Sequence, residues 1–231
     1  EGRSQAPTSP YSWSGGFLGV RPAGDYWRGG RADALEGRRG DFRIGLSSGS
    51  DFKPGQAVQV RWHNREGAKG SLLAHVFGTL DLDMGEQHWK HPDSPVVRQY
   101  ATVREARGKD LILVEPLAHD IRPEWTVRIE GVSPIEEVGL EGFSIVFPSV
   151  LYRGHHKEAG YNGIFIEQSR HGWVRDVEVT NADSGLIVDA SQQVTLKEIA
   201  ITGREGHYPV KIGGGSGVLV RAAGSTGSGR Y

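Results

Sequence analysis

Residues 173–179 read W-V-R-D-V-E-V, and residues 195–201 read T-L-K-E-I-A-I. Apolar side chains occupy the second, fifth and seventh positions of both stretches, and the second stretch follows the first at a sequence step of 22 (173 to 195). Residues 140–145 carry the same pattern, L-E-G-F-S-I, at a step of 34 before the first stretch (140 to 174). The excess of 12 over the regular step predicts a loop inserted between 148 and 159. A repeat of this length indicates a solenoid, built from units that stack on one another.

Further apolar positions keep the same step of 22: Ile164 with Leu186, Ile166 with Val188 and Val210, and Leu196 with Val218. The segments are short and rich in β-branched residues, and no apolar stripe with helical spacing runs through them. A unit of this size cannot bury its own apolar face, so stacking must do it. We therefore predict an all-β chain forming a parallel β-helix of about 22 residues per coil. Its inward-facing residues are Val174, Val177, Val179, Leu196, Ile199 and Ile201. The alternative is an antiparallel sandwich with accidental spacing.

The composition excludes several classes of protein. Glycine supplies 34 of the 231 residues, so long helices are not expected. With no cysteine, the chain has no disulfides, thiolate metal sites or cysteine nucleophiles. A net charge of −1 provides no basic field for nucleic acid, and no apolar run reaches the ~20 residues of a membrane span. We expect neither nucleic acid nor membrane as a partner.

The middle of the chain lacks the regular repeat step. Strands are predicted at residues 56–62, 71–77, 96–104 and 111–117, which together indicate a small antiparallel β subdomain, either a barrel or a meander, inserted at 41–122. The predicted division places an N-terminal segment with the first β-helix strands at 1–40, coils at 123–221 and a flexible Gly/Ser tail at 222–231. The insert either lines a binding groove or covers an edge.

The last predicted coil ends near Val220 with unpaired strand edges, which natural proteins normally cover. Either the natural protein continues beyond this point, or a partner chain covers the end. We expect the chain as given to self-associate through this terminal coil, and a two-fold contact is the commonest closed arrangement. The alternative is that the tail or residues 1–10 cover the edge and leave a monomer.

Three motifs carry a family resemblance: G-Y-N-G-I at 160–164, W-V-R-D-V at 173–177 and N-A-D-S-G at 181–185. They resemble the pectate-lyase-like superfamily of right-handed parallel β-helices, in particular its uncharacterised bacterial members. The resemblance covers residues 127–220, and residues 11–20 more faintly. It implies a right-handed winding, a secreted or periplasmic location and a polysaccharide partner. Because that superfamily contains lyases, glycoside hydrolases, epimerases and adhesins, the fold alone does not settle the chemistry.

The inserted loop is the main candidate site. His155 and His156 are the predicted catalytic bases, since imidazole titrates near neutral pH. Arg153, Lys157 and Tyr161 are the predicted substrate-binding residues, because cations and an aromatic ring suit an acidic sugar. The competing interpretation is an ordinary solvated loop.

Other candidates lie outside this loop. Arg175, stacked one repeat step from Lys197, is predicted to bind uronate carboxylates, or else to form a surface ion pair. Asp183 is a predicted catalytic acid, or else a residue that bonds the backbone of a corner. Trp89 is a predicted sugar-stacking residue. No cofactor is expected; calcium at the acidic residues, or a divalent ion at His88 and His91, is the weakest expectation.

Two functions remain open from the sequence. The first is an enzyme acting on an extracellular, acidic polysaccharide by β-elimination or glycoside hydrolysis. The second is a non-catalytic carbohydrate-binding or structural β-helix module, a fragment of a larger enzyme. Turnover of a glycan would distinguish the two.

Overall fold

The computed structural model describes residues 15–65, 70–78, 94–154 and 157–226. Its strands and helix, in chain order, are β1 (Leu18–Val20), β2 (Trp27–Glu36), β3 (Arg43–Leu46), β4 (Ala57–His63), α1 (Ser71–Phe77), β5 (Pro95–Arg107), β6 (Asp110–Leu113), β7 (Thr126–Val132), β8 (Ile135–Glu136), β9 (Gly139–Val146), β10 (Asn162–Glu167), β11 (Ser169–Arg170), β12 (Trp173–Thr180), β13 (Ser184–Asp189), β14 (Thr195–Thr202), β15 (Tyr208–Gly213) and β16 (Leu219–Ser225). Contacts divide the chain into two units, Glu1–Gly24 with Pro134–Tyr231, here called the solenoid, and Asp25–Ser133, here called the barrel.

Parallel sheets build the solenoid. One sheet has the order β1-β10-β13-β15, another β16-β14-β12-β9, and a short one pairs β11 with β8. Every pairing in these sheets is parallel. On the next pass, β10 pairs with β13, β11 forms a bridge to Gln192, and β12 pairs with β14. The chain therefore runs through the sheets in the same order on successive passes. This confirms the predicted stacking of parallel strands.

The interior of the solenoid contains the residues that the repeat pattern placed there. Buried side chains from the two larger sheets form one apolar cluster, which includes Ile164, Leu186 and Val188. The six predicted inward-facing residues are all 7% exposed or less and belong to this cluster: Val174, Val177, Val179, Leu196, Ile199 and Ile201. Burial of each such side chain contributes about 1.5–3 kcal/mol.

The step between stacked partners is not constant. Val174 lies beside Leu196, a step of 22 (174 to 196), whereas Leu196 lies beside Val220, a step of 24 (196 to 220). The predicted partners Val210 and Val218 are therefore wrong for this pass: Val188 pairs with Ile212, and Val210 pairs with Leu186. The turn before β15 spans 203–207 and the equivalent turn before β13 spans 181–183, so two extra residues shift the register.

Corners of the winding use left-handed backbone at equivalent positions. In the sheet of β9, β12, β14 and β16 the left-handed column consists of Gly142, Asp176, Glu198 and Ala222, with φ of 71°, 52°, 56° and 55°. Other columns contain Glu137, His171, Gln193 and Gly217, and Gln168, Ala190 and Gly214. A residue of this conformation bends the strand, and non-glycine residues carry a steric cost there. Asp176 and Glu198, which lie one repeat step of 22 apart, thus occupy a backbone position that disfavours most side chains.

The barrel is closed by antiparallel strands in the order β2-β3-β6-β5-β4-β7. Alternating residues point inward, and Trp62, Ile44, Leu111 and Ile129 are among the fully buried ones. The antiparallel subdomain is confirmed, but its predicted bounds of 41–122 are too narrow. β2 and β7 pair with each other and complete the barrel, so the unit extends from Asp25 to Ser133.

Three local predictions are wrong. Residues 71–77, predicted as a strand, form α1, which ends at Gly78 in a left-handed C-cap and packs Leu72 into the barrel core. Residues 127–132, assigned to the coils, belong to the barrel. The predicted flexible tail begins too early, because Ala222–Ser225 continue β16 and pair with β14 through the backbone, which needs no apolar side chain.

Candidate functional site

Three polar residues stack at one corner of the solenoid, each just before a strand of the same sheet. Tyr161 precedes β10, Asp183 precedes β13 and His207 precedes β15, and the residues that follow them pair in register. The backbone N–H of Asp183 donates to the carbonyl of Tyr161 at 2.7 Å, and that of His207 donates to the carbonyl of Asp183 at 2.5 Å. We call these residues the corner column. Asp183 is 1% exposed and His207 is fully buried.

The Asp183 carboxylate is engaged on both oxygens. Oδ2 accepts the backbone N–H of Tyr161 at 2.8 Å, and Oδ1 lies 2.6 Å from Nη2 of Arg204. The Arg204 side chain is 9% exposed, and its backbone N–H donates to Oδ1 of Asn181 at 3.1 Å. A buried carboxylate requires such pairing, since an unpaired buried charge is very costly. The geometry makes Asp183 a structural anchor of the corner.

The inserted loop contacts the same corner column through Glu158. Its Oε1 lies 3.0 Å from Nδ1 of His207 and accepts the hydroxyl of Tyr152 at 3.2 Å. The side chains of Glu158 and His207 are 1% and 0% exposed. The loop follows β9 in the chain, and its Glu158 reaches the corner before β15, where His207 lies.

Aromatic rings line a cleft of about 610 Å³ beside the corner column. The rings of Phe147 and Tyr161 stack at 5.3 Å with an interplanar angle of 11°, and Phe17 meets Phe147 edge-on at 6.3 Å. Phe17 is 41% exposed and Val146 is 70% exposed. The cleft lining, here called the aromatic cleft, consists of Phe17, Ser144, Ile145, Val146, Phe147, Pro148 and Tyr161.

Hydrogen bonds hold the cleft wall in place. The side-chain amide of Asn181 donates to the carbonyl of Phe147 at 3.0 Å, and the N–H of Phe147 donates to the carbonyl of Thr180. Tyr161 connects the two features, since its ring lines the cleft and its N–H binds Asp183. Because Phe147 is only 7% exposed, the rings that a sugar could contact in this cleft are the exposed Phe17 and the half-buried Tyr161.

The structure brings together only some of the predicted site residues. Tyr161 lies in the aromatic cleft, while Arg153 and Lys157 are exposed on the loop whose ends, Pro148 and Tyr161, both line that cleft. His155, His156 and Trp89 lie outside the described residues, as do His88 and His91. Their predicted roles stay predictions.

Arg175 lies in the other larger sheet and is already paired. Its Nε is 2.5 Å from Oε2 of Glu141, which also accepts the indole N–H of Trp173 at 3.2 Å. The hydrogen bond from Arg175 first, and that from Trp173 second, hold the pKa of Glu141 below its ordinary value. Arg175 stacks beside Lys197 in register, as predicted, and Lys197 pairs with Glu198 at 3.1 Å. These contacts are those of a surface ion-pair network.

Sequence reasoning missed Arg204, His207, Phe17 and Phe147. His207 follows Asp183 at a step of 24 (183 to 207), and the two-residue insertion hid this equivalence from a search at 22. Phe147 precedes Asn181 at a step of 34 (147 to 181), the offset already seen between β9 and β12, so this signal was present.

The described part of the chain has neither a clustered set of metal ligands nor a helix that could span a membrane. There, no group of three or more histidine, aspartate or glutamate side chains is placed to hold a metal ion. Calcium binding stays a prediction. None of the helices that the structure describes is long and apolar enough to cross a bilayer.

Comparison with known proteins identifies fold relatives. No protein-family model and no curated protein matches the chain. Among solved structures, the tailspike protein gp49 of Pseudomonas phage LKA1 aligns over 91% of this chain with a TM-score of 0.52 and 13% identity. The tailspike gp61 of Pseudomonas phage phi297 aligns over 84% with a TM-score of 0.51 and 12% identity. The Gp54 tailspike of Acinetobacter baumannii bacteriophage AP22, solved in complex with a capsular saccharide, aligns over 91% with a TM-score of 0.47 and 11% identity.

The likeness to gp49 and gp61 shows a shared fold, consistent with the nearly all-β structure of parallel sheets and a six-stranded barrel. The chain covers 33% and 34% of those two tailspike chains, so it spans about one third of their length.

Proposed function

We propose that this chain binds a polysaccharide at an extracellular surface through the aromatic cleft, as part of a tailspike-like right-handed β-helix. The observation that carries the proposal is the exposed ring of Phe17 beside the stacked rings of Phe147 and Tyr161 in a cleft of about 610 Å³. The fold shared with two tailspikes agrees with it. A solenoid side offers a long, shallow surface, which suits a chain-like ligand better than a small metabolite.

The carboxylates near the cleft favour binding over hydrolysis. Both oxygens of Asp183 are engaged, and Glu158 is buried against His207. A glycoside hydrolase needs two carboxyl groups that reach the sugar from opposite sides. Asp183 is therefore a positioning residue in this proposal, because it holds the backbone of Tyr161.

Binding is tested with the exposed member of the cleft. The wild type is first screened for binding to polygalacturonate, alginate and dextran. We expect Phe17→Ala to bind the polysaccharide found in this screen more weakly than the wild type does. The expected loss is about tenfold in Kd, equivalent to the ~1.4 kcal/mol of one aromatic contact. Phe42→Ala is the matched control, since Phe42 is 42% exposed on the barrel. Equal affinity of the Phe17→Ala variant and the wild type would contradict the proposal.

A second candidate function is lyase-type β-elimination, favoured because the loop that carries His155 and His156 begins and ends at the aromatic cleft. In this mechanism a histidine removes the proton beside the uronate carboxylate. The electron pair forms a carbon–carbon double bond as the glycosidic C–O bond breaks, and the leaving oxygen takes a proton. Arg153 and Lys157, on the same loop, are the proposed cations that stabilise the charge. Arg175, the third predicted cation, is engaged by Glu141.

Turnover separates the two candidates. An elimination produces an unsaturated sugar, whose ultraviolet absorbance increases during incubation with polygalacturonate or alginate. We expect the double variant His155→Ala/His156→Ala to lose this signal and to keep binding. Binding without any new absorbance from the wild type identifies a non-catalytic module, and activity that survives the double variant removes both histidines from the mechanism.

A further inference from the structure

Three arginines stand side by side on the outer face of the barrel. Arg128 of β7 pairs in register with Arg61 of β4, and Arg61 pairs in register with Arg98 of β5. Residues directly opposite in antiparallel strands project from the same face with Cβ atoms about 5 Å apart. Like charges in this arrangement lower stability, so the row needs a compensating partner. We call these three residues the arginine row.

Neighbouring carboxylates compensate the row only in part. Arg61 forms an ion pair with Glu130, and Nε of Arg128 lies 3.9 Å from Oδ1 of Asp33. Arg31 shares Glu130, at 3.9 Å. Arg28 and Arg98 are exposed and form no ion pair with other residues in the described part of the chain. Among the residues that the structure describes, this face carries five arginines against two carboxylates and is therefore locally positive.

A cleft opens beside the row at Trp27. This ring is 45% exposed, and the guanidinium of Arg61 lies 5.1 Å from its centroid. The cleft has a volume of about 340 Å³, and its lining includes Trp27, Arg28, Arg31, Arg61 and Glu130.

Three glycines line this cleft, and their lack of side chains leaves the backbone accessible. Gly29 and Gly30 have φ of 90° and 99°, and at Gly131 a Cβ atom would collide with the backbone of Arg28. The cleft is therefore bounded by an aromatic ring, guanidinium groups and bare backbone.

We propose that the barrel binds an acidic saccharide on this face, with a uronate carboxylate on the arginine row and a sugar ring against Trp27. Guanidinium groups match a carboxylate in two-point hydrogen bonds, and an exposed indole packs on the C–H face of a pyranose. A nucleic acid fits less well, because the chain has a net charge of −1 and the positive area is confined to one face. This site is independent of the aromatic cleft, recognises charge and lies on the other unit.

The test uses the full chain and hexagalacturonate, with its methyl-esterified form as the neutral counterpart. The wild type is expected to bind the charged oligomer about tenfold more tightly at low salt, and added NaCl should remove the difference. Arg98→Gln should weaken binding about fivefold and Trp27→Ala about tenfold. Ligand-induced quenching of tryptophan fluorescence should decrease in Trp27→Phe.

Matched variants make the outcome decisive. Arg107→Gln, on the same strand and ~30 Å away, should bind like the wild type. Thermal unfolding checks that each variant is folded. Equal affinity for the two oligomers, or hexagalacturonate binding that neither Arg98→Gln nor Trp27→Ala weakens, would overturn the barrel site. A single-stranded DNA of the same charge that binds equally well and is weakened by Arg98→Gln would overturn the saccharide assignment.

Discussion

Nδ1 of His207 lies 3.0 Å from Oε1 of Glu158, and this contact joins the inserted loop to a later corner of the solenoid. The two residues are 49 positions apart in sequence (158 to 207). Ordering the inserted loop costs backbone entropy, and contacts made by the loop residues must offset that cost. Glu158, with Tyr152 bonded to it, is such a contact, and it holds the loop beside the aromatic cleft.

We expect Glu158→Gln to loosen the loop without unfolding the solenoid. Loss of the charge weakens the contact to His207, and ~1.4 kcal/mol corresponds to tenfold more frequent local opening. Trypsin should then cleave after the exposed residues Arg153 or Lys157 about tenfold faster than in the wild type. Glu178→Gln, at an exposed position of β12, serves as the control and should leave the rate unchanged. An unchanged rate in Glu158→Gln would show that the loop does not depend on this contact.

The ion pair of Asp183 and Arg204 should be strongly coupled. Arg204→Met leaves a buried carboxylate without its cation, and we expect a loss of about 3 kcal/mol in the free energy of unfolding. The double variant Asp183→Asn/Arg204→Met should lose less stability than the two single variants lose together. The expected difference is about 1–2 kcal/mol in the free energy of unfolding. Urea denaturation of the four proteins measures this coupling, and additive effects would argue against it.

Glycine should stabilise the left-handed column. Glu198 has φ of 56°, and Gly142 already occupies the equivalent position of an earlier pass. Glycine removes the steric cost of ~1–2 kcal/mol at this position but adds a backbone entropy cost of its own. We therefore expect Glu198→Gly to be about 0.5–1 kcal/mol more stable than the wild type. Lys197→Gly removes the same Lys197–Glu198 ion pair at an extended position and should be destabilising. Thermal unfolding of the two variants checks the difference, and equal effects would contradict it.

Glu167 should lower stability at neutral pH. It pairs in register with Asp189, and burial first, then the Asp189 charge, raise the pKa of Glu167 above its ordinary value of 4.5. The folded state therefore favours the protonated form, so stability is highest below 4.5 and falls as the pH rises through the raised pKa. Glu167→Gln should remove this fall and add about 0.5 kcal/mol at pH 7, after allowance for solvent screening. Urea denaturation from pH 4 to 8 tests the prediction; parallel profiles for the two proteins would refute it.

The terminal strands should mediate self-association. Interior positions of the last described pass remain open to solvent, since Ile212 is 45% exposed and Val220 is 43% exposed. Among the described strands, β15 and β16 are the outer strands of their sheets, and exposed apolar groups on such strands favour pairing with a second copy. We expect light scattering to detect dimers at high concentration, and Ile212→Ser/Val220→Ser to shift them to monomers. Val114→Ser, at a 51% exposed barrel position, is the control. A monomeric wild type would rule out this interface.

The fold was largely predictable because burial repeats. Val174, Val177 and Val179 recur as Leu196, Ile199 and Ile201, and stacking gives each such position the same apolar surroundings. The antiparallel strands of the insert were predictable, but the choice between a barrel and a meander, and the strands that close the barrel, were not. Pairing of β2 with β7 joins segments nearly a hundred residues apart, and no local pattern records a contact at that separation.

The candidate site was likewise predictable from the sequence only in part. The sequence alone determined which loop to consider, since an excess of 12 over a regular winding step is visible without coordinates, and it drew attention to Tyr161 and Asp183. Only the tertiary structure decided that Asp183 is neutralised by Arg204, that Glu158 meets His207, and that Phe17 joins Phe147 and Tyr161 in one cleft. The physical reason is that periodic burial is encoded residue by residue, whereas the partner of a charge or a ring depends on which corners the winding brings together.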